Sequence, residues 1–388
     1  MPRRDATCMD NKTLALKKIS PSLSVYIDLL RVICALSVMI EHYPFSIGVE
    51  RFFTATNYAY DAVVVFFVLS GYVISYSADT FEKNKMDYAA NRMARILPVA
   101  LAAVVLSAIF FYAVGGSRVD LYGDVSQKTN WVMIFIQSIT FTNQVWSSNE
   151  QPFANGPYWS LAFEVWCYVI YGVMFYYRGW IRALLLVLLI VMLGPKQLII
   201  LPMWLAGSLV YYARFKVALP KPLLYVLLLL PIAIYFFVQA TMPRDWSYIY
   251  AGRNVEKILG FGLDGAANFG WGYLLAILMS LHLYAFQRLF NEVNVNLNVL
   301  FSRVVKFFAG YTFTLYLFHV PIIKFILAVT GLSKNDLLGG YGFVVYGVVF
   351  AAVYFIGNVV EHKKALFRGW AHFIIGRFCR ALQPTSRS

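Results

Sequence analysis

Long apolar runs separated by short basic segments set the pattern of this chain. A spanning helix needs about 20 apolar residues. Ten runs reach or approach that length: residues 24–43, 58–77, 94–114, 158–177, 180–193, 197–213, 222–240, 268–287, 306–329 and 341–360. The fifth and sixth are the shortest of the ten. Residues 131–142 (WVMIFIQSITFT) are apolar but too short to cross, which predicts an interfacial or re-entrant piece. The expected fold is therefore all-α, a polytopic helical membrane protein of about ten transmembrane helices. A single membrane domain over 24–362 is expected between basic tails at 1–23 and 363–388, with no soluble appendage.

The polar positions inside these runs are few and ordered. In VYIDLLRVICALSVMIEHYPF, Asp28, Arg31, Ala35, Val38 and His42 recur at i+3/i+4 spacing. Arg31 and His42 thus share one helix face, about 16 Å apart along the axis. Ionisable groups within a span are costly and suggest function. An arginine and a histidine on one face imply a buried polar path.

Composition agrees with a membrane protein: 60% of residues are hydrophobic and 13% charged, more apolar surface than a soluble protein can hide. The net charge of +14 invites a nucleic-acid reading, but its distribution describes topology. With the N-terminus inside, 23 of the 33 Lys and Arg residues fall in inner segments and 8 in outer ones, while Arg31 and Lys324 lie within spans. Every inner loop is basic, as the positive-inside rule requires. An even number of spans puts both basic tails in the cytoplasm. The first apolar segment follows a basic tail, lacks a small-residue cleavage site and carries Asp28 and Arg31, so it is expected to remain as an anchor. Cys8, Cys34, Cys167 and Cys379 show no paired spacing, which implies neither a disulfide framework nor a metal site.

Several groups are candidates for chemistry. Arg92 and Arg95 stand i, i+3 in NRMARILP, where two guanidinium forks suit phosphate oxygens or serve as positive-inside anchors. His42, near the outer end of the first span, is either a general base or a hydrogen-bonded tip. In PYWSLAFEVWCYVIYG, Ser160, Glu164 and Tyr168 form an i, i+4, i+8 stripe. Glu164 lies two turns into an apolar helix, must be protonated or paired, and has His42 and His319 as candidate partners. Thr312, Tyr316 and His319 share a face in YTFTLYLFHVPI.

Asp61 opens the second span as a helix cap or a substrate acceptor. Ser70-Gly71 suggests close helix packing rather than chemistry. His282, His362 and His372 read as structural or surface groups. The outer segments 115–157 and 241–267 mix aromatics with polar groups, as sugar-binding surfaces and membrane anchors both do. Counting inward from the helix ends puts His42, Glu164 and His319 in the outer half of the membrane and Arg31, Arg92 and Arg95 at the inner side. About 16 Å parts the two groups, a distance that an extended phosphopantetheine arm can reach.

The succession YIDLLRVICALSVMIEH, VVVFFVLSGYVIS, NRMARILP, PYWSLAFEVWCY and YTFTLYLFHVPI resembles the acyltransferase-3 family of integral membrane O-acyltransferases, over residues 24–362. Its members modify O-antigen, exopolysaccharide, nodulation-factor and related acceptors. The family's Arg-x10-His pair falls on Arg31 and His42, its Arg-x-x-Arg pair on Arg92 and Arg95, and its Trp-Ser-Leu…Glu motif on Trp159, Ser160, Leu161 and Glu164. The late histidine falls on His319, and the terminal acidic position looks like Glu361 without its usual following proline. Tyr60-Asp61-Ala62-Val63 replaces the usual Gly-x-x-Gly-Val, a departure from the family pattern at the start of the second span. The hydrolase-like domain of some relatives is missing, so activity is expected in the membrane domain.

The resemblance implies a cytoplasmic acyl-CoA donor, commonly acetyl-CoA, a carbohydrate acceptor (a glycan or lipid-linked sugar) and an inner-membrane location; no metal is expected, since such a transfer needs only positioning, a base and oxyanion stabilisation. His42, Glu164 and His319 are the expected catalytic groups, and Arg31, Arg92 and Arg95 the expected donor-binding groups. Asp61, Trp159, Ser160 and Tyr316 form the expected substrate-binding set. The rival readings are a proton-coupled transporter or flippase of an anionic lipid-linked substrate, and a silent scaffold. The enzyme reading requires one continuous cavity from the arginines to the imidazoles.

Overall fold

A computed structural model describes residues 18–43, 58–123, 130–213, 219–243, 245–290 and 298–381. Every regular element among them is helical. The main helices are α1 (Pro21–His42), α2 (Tyr58–Thr80), α3 (Lys85–Val114), α4 (Trp131–Ile139), α5 (Tyr158–Tyr176), α6 (Gly179–Leu193) and α7 (Pro195–Ala213). They continue as α8 (Lys221–Thr241), α9 (Phe269–Phe290), α10 (Val299–Ala309), α11 (Thr312–Thr330), α12 (Tyr341–Val360) and α13 (Lys364–Ala381). Eight of these, α1, α2, α3, α5, α8, α9, α11 and α12, are long and apolar enough to cross a membrane. α6 and α7 occupy the two short expected spans.

Two boundaries differ from the sequence reading. α3 begins at Lys85, well before residue 94, because the Asn84 side chain caps it by accepting from the Met86 and Asp87 amides at 2.9 and 3.0 Å. Pro98 lies inside this helix without ending it. The run 306–329 is divided, since α10 ends at Ala309 and α11 starts at Thr312 after a turn at Gly310 and Tyr311. α10 exposes Val299, Leu300, Phe301, Val304, Phe307 and Phe308, an amphipathic helix rather than part of a span.

The apolar positions sort the helices into layers. α2 and α11 are buried along much of their length, whereas only Leu193 of α6 and only Leu224 and Pro231 of α8 are buried. α2 packs tightly on α7 because both contribute glycine. A Cβ on Gly71 would lie 1.9 Å from the Trp204 carbonyl oxygen, and one on Gly207 would lie 1.8 Å from that of Val68. Small residues at such crossings let helix backbones approach.

α4 is too short to span and turns back at its end. The Trp166 indole donates to the Phe141 carbonyl (2.8 Å) and the Tyr158 hydroxyl donates to that of Ser138 (3.0 Å). Trp166 stands eight residues into α5, about 12 Å along its axis. The end of α4 and its following turn are thus tied to the first half of α5.

Candidate functional site

α1, α2, α3, α5 and α11 enclose a cavity of about 200 Å³. Its charged lining consists of Asp28 and Arg31 of α1, Arg95 of α3 and Glu164 of α5. Hydroxyls come from Ser24, Ser70, Tyr76, Ser160, Thr312 and Tyr316. The i+3/i+4 stripe of α1 turns inward as its spacing requires, with Ala35 and Val38 fully packed between Arg31 and His42.

The two arginines nearest the α2–α3 turn part company. Arg92 donates to Glu82 and to the Ser77 hydroxyl (3.0 Å), and Glu82 also accepts from Asn91 and Ser77 at 3.0 Å each. The Glu82 side chain is 1% exposed, so this ion pair is buried and clamps the turn. Residues three apart on a helix differ by about 60° in direction. That difference sends Arg95 into the cavity, where no group among the described residues hydrogen-bonds its guanidinium. Arg31 is held from both sides, donating to Thr312 Oγ1 (3.2 Å) and lying 3.6 Å from Asp28. A guanidinium facing a cavity with no hydrogen bond of its own keeps donors free for an anion, and a planar fork suits phosphate or carboxylate.

Glu164 pairs with hydroxyls, not with either histidine. It accepts from Ser70 Oγ (2.8 Å) and from Tyr168, and the Trp204 indole donates to the same Ser70 oxygen (3.3 Å). Helix register explains the difference. Ser160, one turn nearer the start of α5, meets the Tyr316 hydroxyl at 2.6 Å, and His319 lies one turn beyond Tyr316. The Ser160–Tyr316 bridge therefore separates the Glu164 level from the imidazole level. The cavity lining ends at this bridge, so the imidazoles stand beyond it rather than within one continuous chamber.

At the imidazole level, His319 is fully buried and His42 is exposed at the end of α1. His319 Nδ1 lies 3.0 Å from the Leu315 carbonyl and His42 Nδ1 lies 2.9 Å from that of Val38. A carbonyl only accepts, so each Nδ1 carries the proton in the neutral ring. His319 Nε2 is then a lone-pair acceptor, and it stands 3.2 Å from His42 Nδ1. His42 shares its Nδ1–H between two acceptors, and its Nε2 keeps a lone pair with no partner among the described residues. Two ammonium groups lie near this end: Lys324 donates to the Ala154 carbonyl (2.9 Å), and Lys334 stands 5.2 Å over the Tyr43 ring.

The remaining candidates are placed elsewhere. Asp61 is buried and accepts from the Trp271 indole (2.6 Å), Tyr235 (2.8 Å) and Gln239 (2.6 Å), tying α2 to α8 and α9 beside a different cavity. Trp159 packs on Gly265, where a Cβ would lie 2.3 Å from its ring. Glu361 is buried and caps the first turn of α11, accepting from the Thr314 amide (3.2 Å) and hydroxyl (2.7 Å). Ser70 is the site residue that sequence reasoning missed. Its neighbour Gly71 does serve packing, and nothing in α2 alone points to Glu164 of α5.

A family model described as an acyltransferase domain matches residues 24–360. A protein of Shigella phage Sf6 named O-acetyl transferase is 28% identical over 170 residues, covering 42% of this chain and 49% of that protein. The match thus spans about half the length of this curated relative. No solved structure matches significantly.

Proposed function

We propose that this chain, which belongs to the acyltransferase-3 family, moves an acyl group, acetyl in the simplest case, from acyl-CoA to a hydroxyl of a sugar or polysaccharide. The observation that carries the reading is the fixed orientation of His42, with Nδ1 committed to Val38 and His319 and Nε2 left without a partner among the described residues. Acyl transfer from a thioester to an alcohol needs positioning, a base and stabilisation of a tetrahedral oxyanion.

In this mechanism the donor enters at the cytoplasmic face of the inner membrane. The Arg95 guanidinium, which has no hydrogen-bond partner among the described residues but shares the cavity with Glu164, holds a phosphate of the CoA moiety with help from Arg31. Arg92 supports that face by clamping the α2–α3 turn instead. The pantetheine arm runs along α1 towards His42, about 16 Å from Arg31. Passage requires the Ser160–Tyr316 bridge to yield, which its single hydrogen bond permits.

His42 Nε2 takes the proton of the acceptor hydroxyl as its oxygen attacks the thioester carbonyl. The tetrahedral intermediate collapses, the C–S bond breaks, and the imidazolium returns the proton to the departing thiolate. His319 acts through His42 as a positioning residue, its Nε2 accepting the Nδ1–H throughout. Lys324 and Lys334 supply positive potential near the oxyanion. Glu164, anchored by Ser70 and Tyr168, balances the charge of Arg95 within the cavity.

The test is mass spectrometry of envelope glycans from cells with the gene, without it, and with His42→Ala. The wild type is expected to add one acyl mass that the other two lack. Wild-type product from the His42→Ala protein overturns the assignment. A transporter or flippase would instead move substrate without consuming labelled acyl-CoA.

A further inference from the structure

The flank of α3 and α5 carries a second recess, an apolar groove of about 450 Å³ that the acyl-transfer reading does not use. Ala89, Ile96 and Leu97 of α3 form one wall, and Tyr168, Val169 and Gly172 of α5 the other. Phe141, at the turn after α4, closes one end, and Lys85 with Tyr177 marks the other. From Val165 to Tyr177 the groove follows twelve residues of α5, about 18 Å. One leaflet of a bilayer core is about 15 Å thick. Lys85 is exposed, its ammonium 3.3 Å from the Tyr177 hydroxyl and 4.7 Å over that ring, at the level where α5 ends. It has no carboxylate partner among the described residues, because Glu82 is taken by Arg92 and Asp87 lies against Asn84 and His372.

We propose that this groove is a binding site for an anionic phospholipid of the leaflet on the side of the α2–α3 turn. The hydrocarbon chain lies between α3 and α5, and the phosphate pairs with Lys85. The groove has the length of one leaflet and mostly apolar walls; Arg92 in its lining is paired with Glu82, while Lys85 at its interfacial end has no carboxylate partner among the described residues. A chain, not a soluble ligand, fits that sequence of surfaces. Tyr168 gives the site a consequence. Its ring lines the groove while its hydroxyl donates to Glu164, which lines the central cavity. A chain against this ring holds the Tyr168 hydroxyl towards Glu164, so lipid occupancy supports the geometry of the other chamber.

Native mass spectrometry of the detergent-purified chain tests this with dioleoylphosphatidylglycerol and dioleoylphosphatidylcholine as probes. The expected result is retention of phosphatidylglycerol with about fivefold preference, the weight of one lysine near an anionic headgroup. Lys85→Ala is expected to erase the preference. Ala89→Trp, which fills the groove, is expected to erase retention, with Val169→Trp as the second blocking variant should the first fail to elute as a single species. Equal retention of the two lipids by the wild type, or undiminished retention in a folded blocking variant, overturns the proposal. Millimolar inorganic phosphate is expected to leave the lipid bound; complete displacement by phosphate alone overturns the lipid assignment.

Discussion

His42 Nδ1 and His319 Nε2 stand 3.2 Å apart although 277 residues separate them in the chain. Each ring's Nδ1 also faces a carbonyl one turn back on its own helix, Val38 for the first and Leu315 for the second. The pair is therefore directional, with His319 accepting, His42 donating, and the basic nitrogen of His42 turned away from both.

That direction separates the two histidines in function. His42→Ala is expected to lower acyl transfer by roughly 10²–10⁴, the usual weight of a general base. His319→Ala is expected to lower kcat by less, because the base survives without its fixed tautomer. Single-turnover rates with labelled acetyl-CoA measure both. A larger loss in His319→Ala than in His42→Ala would reverse the roles.

Arg92 and Arg95 make a sharper contrast, since they sit three residues apart and face different surroundings. Arg95→Ala is expected to raise the KM for acyl-CoA while leaving thermal stability close to wild type. Arg92→Ala leaves the buried Glu82 carboxylate uncompensated, at a cost of about 3–5 kcal/mol. A second change, Glu82→Gln, is expected to restore part of that loss. Donor titrations and thermal unfolding in detergent distinguish the two outcomes.

Lys196 and Asp264 form an ion pair at 2.5 Å that joins the start of α7 to the segment between α8 and α9, and the two partners are unequally buried. The Lys196 side chain is fully buried and also donates to the Ser148 carbonyl (3.1 Å); Asp264 is 27% exposed. Asp264→Asn retains the left-handed backbone (φ 50°) and an oxygen for the Asn149 amide, yet strands a buried ammonium. It is expected to destabilise by about 3–5 kcal/mol. Lys196→Met leaves a carboxylate that water reaches, and is expected to cost less. Thermal unfolding of the two variants gives the order.

Gly71→Ala places a methyl 1.9 Å from the Trp204 carbonyl oxygen, so α2 and α7 must separate. The expected loss is at least about 1–3 kcal/mol, as for an overpacked core. Because Ser70 is the next residue, its bonds to Glu164 and Tyr168 are expected to loosen as well. A drop in both unfolding temperature and kcat checks the coupling; a drop in stability alone refutes it.

Much of the molecule is legible in its sequence, and the reason is periodicity. Apolar length marks the helices, and a turn of 100° per residue puts Arg31 and His42 on one face at a known separation. The same counting ranks residues by depth, so Glu164, Ser160 and His319 could be ordered along their helices before their neighbours were known. Periodicity says nothing about which helix stands opposite. Only the packed structure decides that Glu164 meets Ser70 and Tyr168, that Tyr316 closes on Ser160 below the imidazoles, and that Arg95 faces the cavity while Arg92 is spent on Glu82. Those choices rest on the azimuth and register of helices far apart in the chain. Such relations are fixed by close approach at residues such as Gly71 and Gly207, and they leave no trace in the spacing of any single segment.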